Sequence, residues 1–263
     1  MRSVKQLMDL KGRHALVTGA AGHVGLAACE TLLELGASVV VMDRLDKDCR
    51  RRAARLGPRA LPMACDIRDE QVLRASVKKA VKNLRSLDIL IHCAAFTGDT
   101  KMAGWAVPFP NQSSMAWEAA FKVNLTSAFI MTQEARQALS ASGRGSVILM
   151  SSIYGMVGPN PSLYEGMPLN NPLAYGASKG GLLQLTKYLA AVMGPKVRVN
   201  AISPGGIERG QPKAFISRYA QRTPLKRMAV EEDIKGAVAY LAGDLSRYVT
   251  GHNLVVDGGF TAW

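Results

Sequence analysis

The sequence predicts a single α/β domain built on a doubly wound parallel sheet. Two observations carry this: short, apolar, β-branched runs recur along the 263 residues, and segments of 3.6-residue periodicity lie between them. Strands that are apolar throughout must be covered on both faces, and crossover helices provide that cover. The length suits one large buried core, and no break in composition divides the chain.

The first strand is expected at His14–Thr18, ending where Gly19 opens a turn, with a helix over Val24–Leu35. Ser38–Asp43 reads as the second strand and Ala60–Cys65 as the third, followed by a helix over Glu70–Leu84. The fourth strand is Asp88–Ala94, and a long helical pattern covers Met115–Leu139 before the fifth strand, Ser146–Ser151. A helix over Ala174–Val192, a sixth strand at Lys196–Ser203, a helix over Glu231–Leu241 and a seventh strand at Asn253–Asp257 complete the pattern. Sheets of this kind bind ligands at the carboxyl ends of their strands.

Met1–Leu10 is polar and charged, and nowhere do 18 apolar residues run uninterrupted, so a cytoplasmic protein with no membrane association is expected. The four cysteines, Cys29, Cys49, Cys65 and Cys93, are widely spaced and form no CxxC pair; they read as free thiols, and no metal site is expected. His14, His23, His92 and His252 do not cluster as ligands and read as packing or surface residues.

The net charge of +13 is concentrated in two places. Residues 44–85 hold 13 Lys/Arg against 5 Asp/Glu, and residues 208–227 hold 6 against 1, so the rest of the chain is neutral. Within the first patch Arg44, Lys47, Arg50, Arg51, Arg52, Arg55 and Arg59 suit either a solvated helix face or a phosphate anchor. No aromatic residues interleave with these cations as a nucleic-acid surface would require, so no nucleic-acid partner is expected.

The first strand runs into Thr18-Gly19-Ala20-Ala21-Gly22-His23-Val24-Gly25, and a helix follows at once. Glycines at 19, 22 and 25 permit a tight turn, close backbone approach to a diphosphate, and close packing of helix on strand. The second strand ends at Asp43, 18 residues beyond Gly25. A carboxylate there can accept from ribose hydroxyls and repels a 2′-phosphate, which favours NAD over NADP; Arg44, next in the chain, pulls the other way.

Of seven tyrosines, only Tyr175 has a lysine four residues on, at Lys179. On a helix the two share one face, and a cation beside a phenol favours the phenolate, as an acid-base tyrosine needs.

With these residues the chain resembles the short-chain dehydrogenase/reductase family over nearly its whole length. The signature elements occur in order: the glycine turn, Asp66-Ile67, Asn124 in Val-Asn-Leu-Thr, Ser151-Ser152, the Tyr175/Lys179 pair, Asn200–Gly205, and Val256-Asp257-Gly258-Gly259. The resemblance implies a Rossmann fold and a nicotinamide cofactor. It implies Tyr175 as general acid/base, Lys179 on the nicotinamide ribose, Ser152 on the reacting oxygen, and Asn124 anchoring a water that relays the proton. Gly19, Gly22, His23, Val24, Gly25, Asp43, Arg44, Asp66, Ile67, Ala94, Pro204, Gly205 and Ile207 would line the cofactor. A homotetramer or homodimer, with the 174–192 helix and the last strand at interfaces, is implied as well.

Three departures from the family pattern stand out. His23 replaces the middle glycine of the turn, His92-Cys93-Ala94-Ala95 replaces Asn-Asn-Ala-Gly, and Arg209 stands about where a threonine is usual. The spacing of 23 from Ser152 to Tyr175 exceeds the family's usual dozen. The added segment, 158–172, is rich in Pro, Gly and Asn, and both its ends are tied to the candidate catalytic residues. Tyr164, Glu165 and Asn170 are therefore candidate substrate contacts, and the run Ser-Ser-Ile-Tyr-Gly with this insertion resembles members associated with sugar and nonulosonate-type metabolism. In the family residues 207–227 form a lid over the substrate, so Arg209, Lys213 and Arg218 suggest an anionic one. The reading is an NAD-dependent enzyme interconverting a secondary alcohol and a ketone on a small anionic molecule. Its rivals are a 3-oxoacyl-carrier-protein reductase and a non-catalytic dinucleotide sensor or scaffold.

Overall fold

The computed structural model describes residues 1–97, 100–167 and 170–263; Pro168 and Leu169 of the insertion lie outside the described residues. Seven parallel strands, β1 (His14–Thr18), β2 (Ser38–Asp43), β3 (Ala60–Ala64), β4 (Ile89–His92), β5 (Gly145–Met150), β6 (Val197–Pro204) and β7 (Asn253–Val256), form one sheet. Their order is β3-β2-β1-β4-β5-β6-β7, so the winding reverses between β1 and β4 and opens a crevice at their carboxyl ends.

Alternation within the strands feeds two cores. Leu16, Val40, Leu90 and Val147 face one side, where α4 (Glu70–Leu84), α6 (Ser127–Ala141) and α7 (Leu173–Met193) cover them with Leu73, Val77, Met131 and Leu182. Ala15, Val17, Val39 and Ile91 face the other, under Leu32 of α2 (His23–Glu34) and Ile234 and Val238 of α9 (Glu232–Ala242). The short α1 (Val4–Met8), closed by a Ser3/Gln6 capping box, is too brief for its periodicity to be read from sequence. The charged α3 (Asp46–Leu56) buries only Cys49 and Ala53, so the cations of the first patch do line a solvated helix face.

The helix expected over Met115–Leu139 is three pieces. Ordinary helix α5 (Ser114–Phe121) passes into a π-helical turn, Lys122–Thr126, and resumes as α6. Periodicity cannot detect a widened turn of five residues, because the apolar face on either side keeps its spacing. The segment after β6 ends in α8 (Lys213–Arg222), which a charged, half-exposed sequence conceals.

Candidate active site

The turn after β1 is shaped by close backbone approach. Gly19 adopts φ +64°, where a Cβ would lie 2.7 Å from the Ala94 nitrogen, and a Cβ on Gly25 would lie 2.1 Å from the Gly19 oxygen. No side chain caps Gly22 at the start of α2, so first-turn amides are left for a ligand. Asp43 ends β2 beside this turn, accepting from the Ala21 amide at 3.0 Å and the Arg44 amide at 2.7 Å. An uncapped helix start behind a close-packed turn, with a carboxylate at the next strand end, fits a dinucleotide. Val24 is half-buried in the turn, and Ala94 donates its amide to Thr18 Oγ1 at 3.4 Å on the facing loop.

Other sequence-predicted cofactor residues take more definite partners. Arg68 forks the carboxylate of Asp66, with Nε at 2.9 and 3.2 Å and Nη2 at 2.5 Å, and holds it below the usual carboxylate range. The following helix is capped by Asp69 rather than by Asp66. Ile67 packs against the core beside it. Beyond Pro204, Gly205 donates its amide to Val256, Gly206 donates to the Tyr219 hydroxyl at 2.6 Å, and Ile207 bridges to Ala229.

Asn124, Ser152, Tyr175 and Lys179 converge at the carboxyl ends of β4 and β5. The π-helical turn aims Asn124 inward, where Oδ1 accepts from the Phe96 amide at 2.7 Å and Nδ2 donates to Ser178 Oγ at 2.9 Å. Ser178, adjacent to Lys179, donates in turn to the Tyr175 carbonyl at 2.9 Å. Ser152 accepts from the Tyr154 amide at 3.2 Å, shaping its loop, and its hydroxyl acts on the Tyr175 phenol to lower its pKa. Lys179, 2% exposed, donates to the Met150 carbonyl at 2.6 Å and lies over the Tyr175 ring, 5.7 Å from its centroid.

Burial governs how these groups titrate. It raises the Tyr175 phenol above its ordinary value, against the Ser152 hydrogen bond and the charge of Arg209, which both lower it. Burial also lowers Lys179 to about 8. Lys179 meets the Tyr175 ring and a backbone carbonyl, and the charge of Arg209 also favours the phenolate. Behind them His92, 1% exposed, pairs Nε2 with Ser127 Oγ at 2.7 Å, while Nδ1 is buried without a partner. Burial and then the Lys179 charge lower His92 to about 3.

Of the substrate candidates, Tyr164 and Arg209 act electrostatically on Tyr175, the first raising its pKa and the second lowering it. The Tyr164 hydroxyl lies 3.2 Å from that of Tyr154 and 3.4 Å from Asn171 Nδ2, and its ring meets Phe215 at 5.4 Å. Asn171, one residue beyond the predicted Asn170, makes the contact, while Asn170 is half-buried nearby. Glu165 contributes its carbonyl, which accepts from Arg218 Nη1 at 2.6 Å, so these two strap the insertion to α8. Lys213 lies exposed at the start of α8.

Two of the six cations of the second basic patch are paired with carboxylates just beyond it, Arg209 with Glu231 at 3.0 Å and Arg227 with Asp233 at 2.5 Å. In the first patch Arg50 and Arg51 pair with Asp46 and Asp48 within α3, and Arg52 donates to Ala21 in the glycine turn. Sequence reasoning missed Arg68, Ser178, Tyr154 and Glu231; of these only Ser178, inside the Tyr-to-Lys run, carried a local signal. Among the described residues no group of three His, Cys, Asp or Glu is placed to hold a metal, and no helix is long and apolar enough to cross a membrane. A cavity of about 360 Å³ lined by His14, Ser38, Arg59 and Arg85 lies at the amino ends of β1 and β2, the opposite edge from this cluster.

Comparison with known proteins agrees with this geometry. The profile of the family described as "Enoyl-(Acyl carrier protein) reductase" matches residues 19–261. The chain is 33% identical to a cis-4-hydroxycyclohexanecarboxylate dehydrogenase of Sinomonas cyclohexanicum over 95% of this chain and 97% of the relative. It is 33% identical to a probable galactose dehydrogenase of Rhizobium meliloti, over 97% of each chain. The crystal structure of a short-chain type dehydrogenase/reductase from Mycobacterium marinum superposes with a TM-score of 0.85 at 28% identity, covering 100% of both chains.

Proposed function

The chain belongs to the short-chain dehydrogenase/reductase family, and from that premise we propose that it uses NAD to interconvert a secondary alcohol and a ketone on a small anionic molecule. It is an oxidoreductase acting on CH–OH groups, as its relatives are. The observation that carries the finer reading is the run of contacts from Asn124 to Ser178, from Ser178 to the Tyr175 carbonyl, and from Lys179 to the Tyr175 ring, at the carboxyl ends of β4 and β5.

A bound nicotinamide supplies hydride exchange at the substrate carbon. Tyr175 gives its phenolic proton to the carbonyl oxygen, or takes it from the alcohol in the other direction. Ser152 holds that oxygen against Tyr175 and stabilises the charge that develops on it. Lys179, already inside the crevice, holds the ribose hydroxyls, and Asn124 anchors the water that carries the proton onward. Because Asp43 stands beside the glycine turn with both oxygens facing amides, it accepts from an unphosphorylated ribose and disfavours NADP.

Lys213, exposed at the start of α8, supports a carboxylate or phosphate on the substrate, and Tyr164 with Phe215 offers an aromatic wall for a compact ring. A hydroxylated alicyclic acid or a sugar acid satisfies both. A 3-oxoacyl-carrier-protein reductase is the second reading; the family's description shares its acyl carrier protein, though it names an enoyl rather than a 3-oxoacyl substrate. The internal ion pairs of the 208–227 patch leave fewer free cations for an acidic carrier. We place the enzyme in the cytoplasm as a homotetramer or homodimer.

The test assays NAD⁺ reduction with cis-4-hydroxycyclohexanecarboxylate, galactose and galactonate, and NADH oxidation with acetoacetyl carrier protein. Turnover of the acids is expected, and turnover of the carrier substrate alone would replace this reading with the second. Tyr175→Phe should lower kcat by about 10²–10⁴-fold with NADH affinity kept. Retained activity in that variant would remove the tyrosine from the chemistry.

A further inference from the structure

We propose that Glu231 is a positioning residue that clasps the loop after β6 to the glycine turn, holding His23 and Arg209 over the mouth of the diphosphate site; this rests on the dinucleotide reading above. Glu231 Oε1 accepts from Arg209 Nε at 3.0 Å and lies 3.2 Å from His23 Nδ1. His23 is the first residue of α2, whose start carries no side-chain cap, and Arg209 lies on the loop after β6, where its charge acts on Tyr175. One carboxylate therefore joins the two sides of the crevice.

The clasp is built on rigid supports. Lys235, one turn beyond Glu231 on α9, pairs with Glu30 at 3.4 Å and Glu34 at 2.7 Å on α2, which fixes Glu231 relative to the glycine turn. Ile207 bridges to Ala229, two residues before Glu231, and Gln211 ties the loop to itself through the Arg209 amide at 2.6 Å and the Ile207 carbonyl at 2.8 Å. Glu231 takes only the Nε of Arg209, leaving the terminal guanidinium nitrogens to donate to phosphate oxygens. A bare carboxylate beside a diphosphate would repel it; anchored to His23 and with Arg209 in its grip, Glu231 aims a cation there instead.

NADH and AMP are titrated by fluorescence and calorimetry against the natural enzyme, Glu231→Gln, Arg209→Ala and the double variant. Each single substitution is expected to weaken NADH by about two- to fivefold, the range of a partly exposed ion pair. The double variant should be no weaker than Arg209→Ala alone, because the carboxylate acts only through the cation. AMP, which has no diphosphate, should bind all four alike. Unchanged or tighter NADH binding by Glu231→Gln, or effects that multiply in the double variant, would overturn the clasp. If the natural enzyme bound neither NADH nor NADPH, the dinucleotide reading itself would fall, and the clasp with it.

Discussion

At the carboxyl ends of β4 and β5, burial lowers His92 to about 3 and Lys179 to about 8, and raises Cys93 to about 12. These shifts are also statements about stability. Between pH 6.5 and about 3 the unfolded chain protonates His92 while the folded chain does not, so acid favours unfolding across that window. His92→Gln should flatten the loss of stability between pH 6 and 4 in denaturant titrations; an unchanged slope would show that the ring is protonated in the fold. For Lys179 the same reasoning gives stability that rises with pH from about 8 toward 10.5. Asp43 carries a different expectation: NADH should bind about tenfold or more tighter than NADPH, since a 2′-phosphate would meet a carboxylate, and Asp43→Asn should narrow the gap. Tighter NADPH binding by the natural enzyme would reverse the cofactor assignment. Tyr175, Lys179, Ser152 and Asn124 could be picked from the sequence because their motifs are local. Glu231 could not, because its partners Arg209 and His23 are distant in the chain and meet it only in space.

At the scale of elements, the π-helical turn and the 158–172 insertion set the site apart from a plain doubly wound sheet. The turn rotates Asn124 onto the Phe96 amide and Ser178, a direction that an unbroken helix over 115–139 would not provide. The insertion docks on α8 through Arg218 and the Glu165 carbonyl and through Tyr164 on Phe215. Arg218→Ala should therefore speed amide exchange in α8 and in residues 160–167 together, and raise KM more than it lowers kcat. Exchange that quickened in α8 alone would mean the two segments are independent. Sequence alone reads the insertion as lying beside the site, from its anchored ends, and the lid's charge as a substrate signal. Several of those cations also bind carboxylates and carbonyls of the chain itself, which no local pattern announces.

Over the whole molecule, apolar surface collects on α7, where Leu173, Tyr188 and Val192 are 53%, 63% and 48% exposed, while β7 is an edge strand paired only with β6. Tyr188 and Val192, four apart, form one helical face of the kind that subunits cover. Light scattering should give the mass of a dimer or tetramer, and Tyr188→Glu with Val192→Glu should shift it downward; an unchanged mass would place the interface elsewhere. The parallel sheet, the glycine turn and the Tyr175/Lys179 pair could be read from the sequence, because apolar runs, glycine spacing and an i,i+4 pair are local patterns; the strand order β3-β2-β1-β4-β5-β6-β7 came from the structure. Tertiary structure alone decided that the charge of Arg209 acts on Tyr175, that Arg68 occupies Asp66, and that Glu231 joins His23 to Arg209. Charges find partners by distance and burial in three dimensions, and neither quantity is written along the chain.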